Sequence, residues 1–165
     1  MALEDLDRPI RSNPELEIRE ASARDALEVE RVMVPGYGIP LDVVRVFNTM
    51  IFAARDLPAR VYLAEYRGQS IAAAYLVHLP GARIVLLGGA ATLPEHRGRG
   101  AYTALVAKRL ADARAAGAEA AVIQAVRETS APICAKLGFE ERCALQFYSW
   151  IPEQATGDGA RDSLS

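Results

Sequence analysis

Residues 94–100, Pro-Glu-His-Arg-Gly-Arg-Gly, separate two kinds of pattern and constrain the fold more than any other stretch of the chain. Upstream lie three apolar runs, residues 61–66, 70–79 and 83–93, separated by the turn formers Arg67-Gly68-Gln69 and Pro80-Gly81. Such short spacings suit hairpins, so the three runs are expected to be antiparallel neighbours. Downstream, Tyr102, Leu105, Val106, Leu110 and Ala113 form one helical stripe that closes at Gly117. Residues 120–126 then read as a buried strand. Thr129 or Ser130 can cap a short helix ending at Gly138, and residues 142–150, rich in aromatics, read as a last strand.

The first third has its own signals. Leu16-Glu17-Ile18-Arg19-Glu20 alternates apolar and charged residues, as a half-buried strand does. Ser22 followed by Asp25 resembles a capping arrangement for a helix carrying Ala26, Val29 and Met33, expected to stop before Pro35-Gly36. Pro40 suits the first turn of a second helix over 41–55, with Val43, Phe47, Met50, Ile51 and Ala54 as its apolar face. The element order β-α-α-β-β-β-α-β-α-β describes an α/β (α+β) domain. Its central sheet is mixed and mostly antiparallel, with helices on both faces. Residues 1–14 read as a flexible leader, 15–152 as the folded domain, and 153–165 as a flexible tail.

A chain of 165 residues suits a single core. The net charge of -2 is spread evenly with no basic tract, which argues against nucleic acid as a partner. The N-terminus has no cationic segment before an apolar one, unlike a signal peptide. The longest uncharged apolar run, 84–94, falls well short of the roughly 20 residues of a membrane span. Two cysteines, Cys134 and Cys143, with no CxxC pair, suggest reduced thiols and a cytoplasmic protein. No His/Cys/Asp cluster has metal-ligand spacing. A homodimer is left open.

The loop carries the chemistry. A helix N-terminus offers unpaired N–H groups and a partial positive charge, which together favour an anion. Gly98 and Gly100 let backbone approach it closely, and Arg97 and Arg99 add charge. A phosphate or pyrophosphate is the expected ligand. A dinucleotide fingerprint would need a third glycine where Thr103 stands, and a P-loop would need Gly-Lys-Ser/Thr, which is absent.

The run Arg97-Gly98-Arg99-Gly100-Ala101-Tyr102 resembles the acetyl-CoA signature of the GCN5-related N-acetyltransferases (GNAT), Gln/Arg-x-x-Gly-x-Gly/Ala. Residues 130–139, Ser-Ala-Pro-Ile-Cys-Ala-Lys-Leu-Gly-Phe, resemble the family's later helix, which commonly ends Tyr-x-Lys-Leu-Gly-Phe. The resemblance implies the GNAT acyl-CoA transferase fold and acetyl-CoA as cofactor. It also implies a gap between the strand ending at Leu93 and the strand over 120–126. Backbone groups of Ala91, Thr92 and Leu93 would pair with the pantetheine arm. Amides of Arg97, Gly98, Arg99, Gly100, Ala101 and Tyr102 would hold the pyrophosphate. Three departures stand out: Tyr102 replaces Gly or Ala, Arg127 replaces a frequent Asn, and Cys134 replaces a tyrosine able to protonate the leaving thiolate.

Acetyl transfer requires an amine to lose its proton, an oxyanion to be stabilised and a thiolate to leave. Cys134 is the candidate catalytic residue, since a thiol near pKa about 8.5 can give up a proton; its other reading is a small buried cysteine filling space. His78 and Glu65 are candidate bases, each also readable as a solvated strand residue, and the run 83–93 holds no acid. His96 either touches the nucleotide or faces solvent, and Cys143 reads as packing. Tyr37, Phe47, Tyr148 and Trp150 suggest an apolar mouth for an amine acceptor, either a small molecule or a protein. The alternative is a catalytically weak acyl-CoA-binding module acting as sensor or assembly part.

Overall fold

The computed structural model describes residues 1–53, 58–146 and 148. Among the described residues six strands form one sheet: β1 (Ala2–Leu3), β2 (Leu16–Ala21), β3 (Ala59–Tyr66), β4 (Gln69–His78), β5 (Ile84–Thr92) and β6 (Ala120–Ile123). Their spatial order is β1-β6-β5-β4-β3-β2. The runs on either side of the two predicted turns pair antiparallel, as the short connections require. Of these strands only β5 and β6 pair parallel, joined by the crossover helix α3 (Ala101–Ala115).

Alternation along the strands builds two cores. Val61, Leu63, Ala73 and Tyr75 face Val29, Val32 and Met33 of α1 (Ala26–Tyr37) and Val44 of α2 (Leu41–Ala53). Tyr62, Ala64, Ala72, Ala74 and Leu76 point the other way, onto Leu105, Val106 and Leu110 of α3 and Cys134 of α4 (Ser130–Lys136). The sheet is therefore mixed with helices on both faces, as the sequence predicts. Full burial of a side chain such as Leu105 is worth about 2 kcal/mol, so these two layers carry most of the stability.

Several expectations need correction. α1 does not stop before Pro35; it runs to Tyr37 and ends on Gly38 at φ 70. Pro35 sits in the last turn, where losing one N–H bond is tolerated and the left-handed Gly38 supplies the stop. On α2 the buried residues are Val44 and Asn48, while Val43, Phe47 and Met50 are exposed; Ala54 and Arg55 lie outside the described residues. β6 ends at Ile123, not residue 126, because its pairing with β5 ends at Leu87↔Ile123. Residues 142–146 and 148 are not in a strand; Trp150 and the expected tail over 153–165 lie outside the described residues.

The leader is not loose at its start. Ala2 and Leu3 pair antiparallel with Val122 and Ala121, and Leu3 is buried. The partner strand β6 would otherwise present an open edge of unpaired N–H and C=O groups. Leu6 and Ile10 pack on the core, and Asn13 Nδ2 donates to the Arg99 carbonyl at 3.1 Å. Thus the leader reaches the glycine loop.

Candidate active site

The site begins where two parallel strands part. β5 and β6 pair through Leu87↔Ile123, and immediately afterwards β5 carries Gly88-Gly89 and a bulge against β4. The register slips there from Ala74↔Ala90 to Tyr75↔Gly88, leaving one extra residue on β5. A Cβ at Gly89 would stand 3.1 Å from Tyr75 Cδ2 and 3.6 Å from the Tyr37 hydroxyl, so glycine suits this crowded corner. Beyond the bulge, the Ala90 N–H donates to the Tyr37 hydroxyl at 3.0 Å.

At the same end of the sheet, Leu93 leads through a 3-10 turn, Pro94–His96, into the glycine loop. Gly98 (φ 79) and Gly100 (φ 81) both take the left-handed conformation. Gly100 is the N-cap of α3 and offers no side chain, so the helix start is uncapped. Among the described residues no backbone acceptor takes the N–H groups of Gly98 to Thr103. Nothing stands within 4 Å of where a Gly98 Cβ would be. The result is a row of free donors at the positive end of a helix dipole, a fit to a pyrophosphate made by backbone alone.

The arginine side chains of this loop are occupied elsewhere. Arg97 Nη2 donates to the Gly36 carbonyl at 3.2 Å, tying the loop to α1. The Arg99 guanidinium lies 4.8 Å above the Tyr66 ring, with Arg67 also stacked at 5.1 Å. His96 meets the same ring edge-on, and its Nδ1 is buried with no partner among the described residues.

Tyr102 and Cys134 come together. The phenol oxygen and Sγ are 3.1 Å apart, and either atom can donate. Cys134 is fully buried, and burial pushes its thiol above the ordinary range. Burial likewise raises Tyr102, with its bond to Cys134 adding to the shift. Both groups therefore hold their protons at neutral pH.

The other candidates fall apart in space or are engaged. Glu65 bonds Arg19, which also pairs with Asp25 and Glu28. His78 pairs with Val85 near the hairpin turn, at the opposite end of β4 from Ala72 and Thr92. Cys143, Ala131, Gln124, Val126 and Tyr37 line a cleft of about 480 Å³ beside the end of β6, a size typical of small-ligand sites. Tyr148 is 88 % exposed. Among the described residues no group of three His, Cys, Asp or Glu side chains gathers as a metal site would. No helix there is long and apolar enough to cross a membrane.

One residue of the site escapes sequence reasoning. Arg109 is fully buried and reaches the bulge carbonyls. It lies on the same helical stripe as Tyr102, Leu105 and Ala113, and that spacing is the signal that could have found it.

No curated protein sequence matches the chain. Solved structures do, as folds. AAC(6')-Iy, solved in complex with the bisubstrate analog CoA-S-monomethyl-acetylneamine, superposes with a TM-score of 0.67 at 22% identity, covering 82% of this chain and 98% of that one. The aminoglycoside antibiotic 6'-N-acetyltransferase AAC(6')-IG from Acinetobacter haemolyticus gives 0.66 at 19%, covering 83% and 99%. An acetyltransferase from Trypanosoma brucei gives 0.65 at 18%, covering 82% and 99%. The model of the acetyltransferase (GNAT) domain matches residues 53–142, more than half of the sequence and the whole of the splay and glycine loop: the chain belongs to the GNAT acetyltransferase family.

Proposed function

We propose that the protein transfers an acetyl group from acetyl-CoA to an amine by direct attack. The observation that carries this reading is the coincidence, at one end of the sheet, of the β5/β6 parting with the free N–H groups of Gly98 to Thr103. The backbone at Arg97, Gly98, Arg99, Gly100, Ala101 and Tyr102 would hold the pyrophosphate, while backbone groups of Ala91, Thr92 and Leu93 offer an edge for an amide-bearing arm. In the transfer the amine nitrogen bonds the acetyl carbon and gives its proton to solvent water, the C–S bond breaks, and its electron pair stays on sulfur. The Tyr102–Cys134 pair is our candidate for the proton that sulfur then takes, with the phenol as donor and the buried thiol as its support.

The acceptor is an amine on a largely apolar body. Among the described lining residues of the cleft only one carboxylate occurs, Glu141, and Arg127 pairs with it. A polycationic acceptor would call for several carboxylates. Tyr37, Ile123, Val126, Ala131 and Leu145 offer apolar contact there instead.

A second reading, an acyl-CoA-binding module with little catalysis, draws on one observation: neither expected base reaches the parting of β5 and β6, since Glu65 is held by Arg19 and His78 lies at the far end of β4. Calorimetry with CoA, followed by a thiol-release assay with acetyl-CoA and a panel of alkyl, aryl and polycationic amines, separates the possibilities. Binding with turnover on the apolar amines is expected. Binding without turnover on any amine favours the module, and no binding sinks both.

A further inference from the structure

Arg109 heads the fully buried side chains by volume. Among the described residues its guanidinium has no carboxylate partner. Nε donates to the Leu105 carbonyl at 3.0 Å, and Nη1 donates to the carbonyls of Tyr75 at 2.9 Å and Gly88 at 3.2 Å. Nη2 has no partner among the described residues. The acid one turn along α3, Asp112, is taken by Tyr62 and Lys108. The groups among the described residues that act most on its charge are weak acids: Tyr37 from α1, Tyr62 from β3, Tyr102 from its own helix and Cys134 from α4. Burial pulls its pKa down to about 10, which still leaves it charged at neutral pH.

A buried cation with no counter-charge is expensive, and a methionine would fill the same space without that penalty. What distinguishes the arginine is where its charge sits. It binds the carbonyls on both sides of the bulge, one from β4 and one from β5. The Gly88–Gly89 peptide is planar, so fixing its carbonyl turns the Gly89 N–H away from Arg109 and strengthens it as a donor. The next N–H along, that of Ala90, is the one held by Tyr37.

We propose that Arg109 is a positioning residue for acyl transfer, which locks the bulge peptide so that its one N–H, that of Gly89, meets the developing oxyanion and lends its uncompensated charge to the departing sulfur. The inference rests on the acetyl-CoA reading above. The charge it answers is the electron pair left on sulfur when the C–S bond breaks; no further reactant is needed.

The test is the ionisation of the thiol of bound CoA, followed by thiolate absorbance against pH. In the wild-type complex the thiol should ionise about tenfold more readily than in free CoA, one pKa unit. Arg109→Met should return it to the free value, and Arg109→Lys should keep most of the shift. CoA affinity below neutral pH, where the thiol is uncharged, should change less than about twofold in either variant, whereas turnover falls about 10²-fold or more in Arg109→Met. A bound thiol that ionises no more readily than free CoA in the wild type overturns the proposal, even if Arg109→Met fails to fold. So does a folded Arg109→Met that retains the shift. Failure of the wild type to bind CoA at all would instead remove the acetyl-CoA reading on which the proposal rests.

Discussion

The Tyr102 hydroxyl lies 3.1 Å from Cys134 Sγ, joining the first turn of α3 to the middle of α4. The two positions depart from the family pattern together: a tyrosine stands where the loop motif has a small residue, and a cysteine where the later helix has a tyrosine. A phenol is thus kept near α4 but is delivered from the other helix.

If the phenol gives the proton to the leaving thiolate, Tyr102→Phe should lower kcat by about 10²- to 10⁴-fold with little change in CoA affinity. Cys134→Ala should cost far less, because the hydroxyl remains. Both shifts are upward, so the proton stays in place through neutral pH and the rate should not fall on the alkaline side until above about pH 10. Steady-state kinetics across pH checks this. Full activity in Tyr102→Phe would reduce the pair to packing.

Gly100 and Gly98 test the anion loop. Each sits at φ near 80°, so a β-branched residue there is strained by about 1–2 kcal/mol whatever space surrounds it. Around Gly100 the space is ample, since a Cβ would stand 3.8 Å from Asn13 Cβ. Gly100→Val should therefore lower the melting temperature modestly while weakening CoA binding at least about tenfold, as the loop amides turn away. Unchanged affinity in a folded variant, measured by calorimetry, would move the phosphate site elsewhere.

The legible parts of this chain are those where one local signal governs. Hairpin strands followed from turn residues at Gly68 and Gly81, and the anion loop from Gly98 and Gly100 preceding a helical stripe. The illegible parts depend on distant partners. Ala2–Leu3 is too short to show a period, and its partner β6 is more than a hundred residues away. α2 is apolar on most sides, so nothing local chose Val44 and Asn48 over Val43 and Phe47. Arg109 falls on the apolar stripe of α3, and only the bulge carbonyls beside it account for a charge in that place. Arg97 and Arg99 read as phosphate ligands, yet Gly36 and Tyr66 hold them.

The start of the first helical segment makes a pH prediction. Ser22 and Asp25 form the predicted capping box, and Asp25 also pairs with Arg19. The Ser22 backbone N–H, then its hydroxyl, and then Arg19 hold the Asp25 carboxyl below the ordinary range. A depressed folded pKa stabilises the fold above the unfolded value of about 3.9, and that contribution is lost as pH falls through the lower folded value. Asp25→Asn should cost about 1 kcal/mol at pH 7 in urea unfolding. The gap from wild type should close as pH drops well below 4. A gap constant with pH would mean that the charge plays no part.

Gly36 tests how α1 supports the site. A Cβ there would stand 2.8 Å from Ala91 Cβ and 3.3 Å from both the N and O of Thr92, so the helix rests directly on β5. The same residue's carbonyl takes the bond from Arg97 in the anion loop. Gly36→Ala forces α1 off the strand or pushes the strand toward the parting with β6. Overpacking of this kind typically costs about 1–3 kcal/mol. The bond to Arg97 should be lost with it, so CoA affinity should fall along with stability. Because the closest clash is with another methyl, Ala91→Gly should recover much of both losses in the double variant. The coupling between contacting residues is expected at about 0.5–3 kcal/mol in a double-mutant cycle. Strictly additive effects would mean that the two residues do not meet, and that α1 does not set the position of the strand.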